Sequence, residues 1–256
     1  MTARVEDAGD RLIIWNGNAA RRGALSPALY DAIRSAMAQA HDARIRAVIL
    51  TSDGGFFCAG GDLNVLIERR TLTEDARRAK VDDLHDLIRA IRACPVPVIA
   101  AVKGGAAGAG ASLALACDFI VAQAGINFTA AYVKAGLVPD AGLTASLARL
   151  VPRALAMDMC VLGRPVTSDR LADLGAITGT APADQVLAEA HALADALAKG
   201  PRTAQGVIRA LVAGAYDQTE AAQLDAERDA MAAAAGGAEA AEGIAAFLEK
   251  RLPDFG

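Results

Sequence analysis

Two short apolar runs decide what this chain can fold into. Residues 46–50 (RAVIL) and Val98–Val102 (VIAAV) are continuous rather than alternating. Each runs straight into a glycine cluster and then into a helical pattern. A short apolar run of this kind is a strand buried on both faces, and such strands belong to parallel sheets covered by helices. The expected class is therefore α/β, with strand–turn–helix units repeated along the chain.

The flanking segments agree. Residues 11–15 (RLIIW) read as a strand. Ser26-Pro27 opens a helix, with serine as cap and proline at the first helical position, and Leu29, Ile33, Met37 and Ala40 recur behind it. Val81, Leu84, Ile88 and Ile91 mark an amphipathic helix whose other face is charged, His85 included. A further helix is expected over 109–117 and a strand over 119–122. From about residue 183 only helical patterns follow, beginning with the stripe Leu187, Ala190, Leu193, Ala194 and Leu197. The expectation is an α/β core over 1–195 and a helical region over 196–256. An apolar stripe in such a tail ordinarily packs on a sister subunit.

Composition narrows the classes of function. Apolar residues make up 54%, so the chain is not disordered. Alanine supplies about a quarter of the chain and aromatics only 4%, which favours small-residue helices over an aromatic-rich sandwich. With 26 basic against 30 acidic residues and no basic stripe, nucleic acid is not the expected partner. Cys58, Cys94, Cys117 and Cys160 are scattered, as are His41, His85 and His191, so no metal site is expected. The first ten residues hold acids and no apolar run, and no uncharged window reaches the roughly 20 residues that span a bilayer. The reading is a reduced, cytoplasmic protein with no membrane segment.

The two glycine clusters are where chemistry is expected. In 56–63 (FFCAGGDL), paired glycines after a strand allow either a tight turn or close approach of backbone to a ligand. In 103–111 (KGGAAGAGA), the cluster precedes a helix, whose first N–H groups point outward unpaired at the positive end of the dipole. That is an anion or oxyanion site by construction. The glycine order is not GxGxxG, and no Lys-Ser or Lys-Thr follows, so neither a dinucleotide fold nor a P-loop is indicated.

The pair FCAGGDL and GGAAGAGASLALACD resembles the crotonase superfamily of enoyl-CoA hydratases and isomerases. The resemblance continues through 131–142 (AYVKAGLVPDAG) and ends in the tail with 243–251 (GIAAFLEKR). It is nearest in pattern to the 1,2-epoxyphenylacetyl-CoA isomerase type. It implies a spiral of ββα units followed by helices that trimerise, a homotrimer or dimer of trimers, and an acyl-CoA thioester substrate. No cofactor is implied beyond the coenzyme A of that substrate.

The resemblance also implies roles. The backbone N–H groups of Gly61 and Ala109 hold the thioester oxygen, the second where glycine is usual. Ala59, Asp62, Leu63, Leu66, Ser112, Tyr132 and Lys250 contact the substrate. Arg21, Arg22 and Lys103 are further candidates to meet its anionic end, Ile67 belongs with Leu66 to the acyl pocket, and the charged segment 69–80 is a candidate lid. Hydratases of the family carry two glutamates at positions that here hold Ser112 and Tyr132, so simple hydration is not expected. Asp140 is the acid that remains and the expected base for an isomerase. An aspartate just before a helix is also an ordinary N-cap, and both roles are open. Asp62 is expected to brace its loop, Asp118 to be structural, and Cys58 and Cys117 to be packing. The competing classes are a lyase, a thioester hydrolase acting through Asp140, and a non-catalytic acyl-CoA binder.

Overall fold

The computed structural model describes residues 2–256. Its main sheet has six strands: β1 (Arg4–Asp7), β2 (Arg11–Asn16), β3 (Ala47–Ser52), β4 (Val98–Val102), β6 (Phe119–Gln123) and β9 (Gly179–Ala181), in the order β1-β2-β3-β4-β6-β9. Only β1 runs antiparallel to its neighbour. A second sheet joins β5 (Ala106–Ala107), β7 (Asn127–Thr129) and β8 (Val166–Thr167) in the order β5-β7-β8. Successive turns of the chain lay one strand in the large sheet, a short one in the small sheet, and then a helix. This is the expected spiral.

The helices are α1 (Pro27–Gln39), α2 (Leu63–Arg69), α3 (Glu74–Arg92), α4 (Ala109–Leu115), α5 (Leu143–Leu150), α6 (Arg153–Leu162), α7 (Ser168–Asp173), α8 (Val186–Ala198), α9 (Arg202–Gly214), α10 (Glu220–Ala235) and α11 (Ala238–Glu249). Ser26 caps α1 as expected, accepting from the Leu29 N–H. One face of the main sheet packs through Leu12, Ile14, Val48, Leu50, Val98 and Ala100 against Leu29, Ile33, Leu87 and Ile91 of α1 and α3.

The opposite face is covered by α8. Ile13, Ile49, Ile99 and Val121 pack against Val186, Ala190 and Ala194 of α8. Most of the stripe beginning at Leu187 is thus buried in the core, and α8 (Val186–Ala198) runs across position 195. Strand β9 also reaches past residue 180, and β1 had no sequence counterpart in the reading. Strands β5, β7 and β8 have two or three residues each, too few to display a period of two. The segment 69–80, the candidate lid, joins two helices: Arg69 ends α2, and Glu74 begins α3 with Thr73 as its cap.

The fold positions its loops by close backbone approach. Cys58 bridges Ala106 as an extra rung beside β5, and the Ala107 N–H donates to the Cys58 carbonyl at 2.9 Å. Gly110 of α4 lies flat against that rung. A Cβ there would stand 2.1 Å from the Cys58 oxygen, a distance no real contact allows. Gly110→Ala is therefore expected to cost about 3 kcal/mol, the upper part of the overpacking range, because the two nearest atoms are the backbone carbonyl of Cys58. Urea denaturation of the two proteins measures it, and an unchanged midpoint would contradict the packing described.

Candidate active site

The first glycine loop is held from three sides. The Phe57 N–H donates to the Lys103 carbonyl at 2.8 Å, the Ala59 N–H to Arg22 at 3.0 Å, and the Leu25 N–H to the Gly60 carbonyl at 2.8 Å. Buried Asn16 adds its amide, donating to the Gly23 and Phe57 carbonyls at 2.7 and 3.1 Å. Gly60 sits at φ 87°, where a side chain would be strained, and a Cβ on it would meet the Ala107 oxygen at 2.7 Å and the Ala109 nitrogen at 3.0 Å. The loop carrying Gly61 and the first turn of α4 therefore touch through Gly60.

Neither the Gly61 nor the Ala109 N–H donates to a carbonyl in the loops and turns among the described residues. Ala109 keeps a negative φ, so its methyl costs nothing in backbone strain. Ala109 is buried and Gly61 exposed. Two unpaired N–H groups on loops that are locked together, one at a helix start, are equipped to hold an oxygen on which negative charge develops.

Asp62 braces the loop rather than opening into it. It caps α2 by accepting the Asn64 N–H at 3.0 Å and forms a close ion pair with Arg21. The Asn64 N–H and then Arg21 hold its carboxyl below the usual range, with burial opposing. Arg21 is thereby engaged, while Arg22 lies over the Phe56 ring at 4.1 Å. Arg22 and Phe56 line a cleft of about 430 Å³ with Gly104, Ala107, Asn127 and Thr129. Leu66 packs toward Gly61, whereas Leu63 and Ile67 are largely exposed on α2. Ala59 is half-buried at the start of the paired glycines, and Lys103 is half-buried at the end of β4.

Across α4 lies a polar cluster in an otherwise apolar setting. The Tyr132 hydroxyl donates to Asp140 Oδ1 at 2.7 Å. Ser112, fully buried on α4, is 3.3 Å from the Tyr132 hydroxyl and 3.2 Å from the Asp140 carbonyl oxygen. The Tyr132 ring also reaches Gly108, within 4.0 Å of where its Cβ would be. The cluster is thereby joined to the N-terminus of α4. The N-cap of α5 is Gly142, not Asp140, so the aspartate's carboxylate is not spent on a helix end.

Two side chains of this neighbourhood escaped the sequence reading. His85, expected to be solvated, is half-buried, and its Nε2 accepts the Ala141 N–H at 3.2 Å. Tyr30 of α1 is pushed up to about 12 by burial, with Asp83 and Asp140 adding to the rise and Arg69 opposing it. Only tertiary contact brings either to the site, and helical spacing carries no signal for it. Lys250 ends α11, and beyond it the Phe255 carbonyl accepts from Arg46, beside the start of β3. The thiols are packing groups. Burial pushes Cys58 up to about 12 and raises Cys117 further. Asp118 is structural, pairing with Arg209 at 2.9 Å and accepting the Val98 N–H at 2.8 Å. Among the described residues no three His, Cys, Asp or Glu side chains gather as metal ligands would, and no helix is long and apolar enough to cross a membrane.

Residues 18–256 match the family model described as Enoyl-CoA hydratase/isomerase. The chain is 38% identical over 215 residues to 1,2-epoxyphenylacetyl-CoA isomerase of Escherichia coli K12, covering 84% of this chain and 82% of that one. It is 32% identical over 244 residues to 2,3-dehydroadipyl-CoA hydratase of the same organism, covering 95% and 94%. Among solved structures, an enoyl-CoA hydratase from Polaromonas sp. JS666 superposes with a TM-score of 0.94 at 40% identity, covering 98% of each chain. The chain belongs to the enoyl-CoA hydratase/isomerase family, with the crotonase fold that the resemblance implied.

Burial first, then the charge of Asp140, raises the Tyr132 phenol well above the usual range. It is therefore a donor, not a base, throughout the neutral range. At about pH 10, where an unperturbed phenol is half-ionised, the native protein and its Tyr132→Phe variant should show equal phenolate absorbance. Less absorbance in the variant would mean that Tyr132 ionises normally. The sign for stability follows: the unfolded chain releases this proton near pH 10 while the native one keeps it, so stability falls as pH rises past that point.

Proposed function

We propose that this member of the enoyl-CoA hydratase/isomerase family is an acyl-CoA isomerase that moves a double bond from the 3,4 to the 2,3 position of the thioester. The observation that carries this reading is the single carboxylate of the polar cluster, Asp140, held by the Tyr132 hydroxyl at 2.7 Å. The thioester oxygen sits between the N–H groups of Gly61 and Ala109. Asp140 takes a proton from C2 through its second oxygen. The C2–H electron pair enters the C1–C2 bond, and the charge of the dienolate collects on the oxygen that the two N–H groups face. The same carboxyl, now protonated, returns its proton at C4, and the double bond is left at C2–C3. One base serves both positions, so neither water nor a second acid takes part. Losing one oxyanion donor in such a site costs about 100- to 1000-fold.

The similarity to 1,2-epoxyphenylacetyl-CoA isomerase supports a ring-bearing acyl group, whose epoxide would rearrange from a related enolate. The second reading is hydration of a 2-enoyl thioester, favoured by the names of the other relatives. It needs a further group to hold and activate water, at positions where this chain has Ser112 and Tyr132. On the isomerase reading the coenzyme A is part of the substrate and no other cofactor is used. The protein would work in the cytoplasm as a homotrimer or dimer of trimers. Ile208, Val212, Ile244, Phe247 and Leu248, exposed on α9 and α11, support that assembly, and Lys250 would meet a substrate only across it.

An ultraviolet assay with a 3-enoyl-CoA, beside its 2-enoyl isomer, tests the reading. Conjugated 2-enoyl thioester should form, and Asp140→Asn should slow this at least about 1000-fold, within the range for losing a positioned acid–base group. Binding of the coenzyme A ester should survive in the variant. Consumption of the 2-enoyl substrate with no action on the 3-enoyl one would establish a hydratase instead.

A further inference from the structure

The turn that carries Asp140 is held from behind by α3. Ala141 follows Asp140 directly, is buried, and adopts φ 52°, a left-handed conformation that a residue with a side chain rarely takes without support. Its N–H donates to Nε2 of His85 at 3.2 Å. Two turns further along the same face of α3, the Arg92 guanidinium donates to Ser146 Oγ at 3.0 Å. It also lies within 3.2 Å of where a Cβ on Gly142 would be. The turn is thus gripped at both ends by one helix.

The chemistry of the His85 contact is one-directional. A backbone N–H can only donate, so Nε2 must present its lone pair, and a neutral ring then carries its proton on Nδ1. The nitrogen that donates is the one bonded to the Asp140 carbonyl carbon. Fixing that N–H fixes the plane of the peptide between Asp140 and Ala141, and with it the direction in which the aspartate leaves the chain. The same peptide's oxygen accepts from Ser112 Oγ at 3.2 Å and from the Leu143 N–H at 3.1 Å. Both poles of the peptide are therefore engaged, and rotating it would break the contact from Tyr132 to Oδ1.

We propose that His85 is a positioning residue for Asp140. As the neutral Nδ1–H tautomer it holds the Asp140–Ala141 peptide so that the carboxylate both receives the Tyr132 hydroxyl and faces the α-carbon of the thioester. This rests on the reading of Asp140 as the base. His85 itself touches neither substrate nor the transferred proton.

The test uses full-length His85→Leu and His85→Gln with three readouts. Leucine removes the acceptor, whereas the glutamine side-chain oxygen lies close to where Nε2 stood. His85→Leu should lower kcat for the 3-enoyl-CoA by about 10- to 100-fold, the penalty for misplacing a reacting group by an ångström or less, with KM nearly unchanged. His85→Gln should restore most of kcat. Amide hydrogen exchange at Ala141 should be slow in the native protein and in His85→Gln, and fast in His85→Leu. Imidazole nitrogen spectra of the native protein should show the proton on Nδ1. A leucine variant with native kcat overturns the proposal. So does a proton on Nε2, or a glutamine variant as slow as the leucine one, since the ring's acidity rather than its acceptor would then matter. A native protein inactive on 3-enoyl-CoA overturns the reading of Asp140. Ala141 exchange and the tautomer still decide whether His85 holds the turn, because neither depends on turnover.

Discussion

The contact of the Cys58 backbone with α4 is the constraint on which the rest of the site depends. A helix start and a loop from a different turn of the spiral meet with no side chain between them, because Gly60 and Gly110 carry none. The rung from Cys58 to Ala106 and the bond from the Ala107 N–H then fix the register. Two N–H groups aimed at one oxygen are useful only when their separation is set before the substrate arrives, since reorganisation during reaction would consume what they contribute. Backbone held against backbone sets it more rigidly than side chains on flexible loops would. The buried sheet strands behind β3 and β4 supply the stiffness, and that is why the site stands at their ends.

Much of this was legible in the residues. Continuous apolar runs gave β3 and β4 because burial on both faces removes the alternation of a half-exposed strand. The glycine clusters read as loops where backbone comes close, and the structure does bring them together at Gly60 and Gly110. The stripe of α8 shows the limit. Helical period says which face of a helix is apolar but not what covers it, and only the structure shows that Ala190 and Ala194 lie on the sheet. The short strands of the second sheet were invisible for the same reason that they work: each contributes two or three backbone pairs and no pattern of side chains.

The polar cluster divides similarly. Asp140 and Tyr132 stood out by resemblance, and the cap role weighed against catalysis is removed by Gly142, which takes the N-cap position itself. His85 gave no signal. It lies among Asp82, Asp83, Asp86 and Arg89, and by local rules belongs to a solvated face. Its partner is a backbone N–H distant in sequence, and a backbone donor has no identity that a sequence can display.

The replacement of carboxylates by hydroxyls has a direct electrostatic consequence. Ser112 is fully buried between the Gly108 carbonyl, the Tyr132 hydroxyl and the Asp140 carbonyl. A glutamate at either hydroxyl position would set a second negative charge beside the first, and two carboxylates so close in a buried site do not both ionise. A pair of that kind shares a proton between fixed points and suits an enzyme that must place water. Ser112 and Tyr132 instead supply dipoles that satisfy one another and leave one charge. On the isomerase reading, a single carboxylate with one oxygen tied to Tyr132 has its other oxygen available to two carbons of the same dienolate in turn. On this reading the exchange of charge for dipole is what separates moving a proton along the acyl chain from adding water to it.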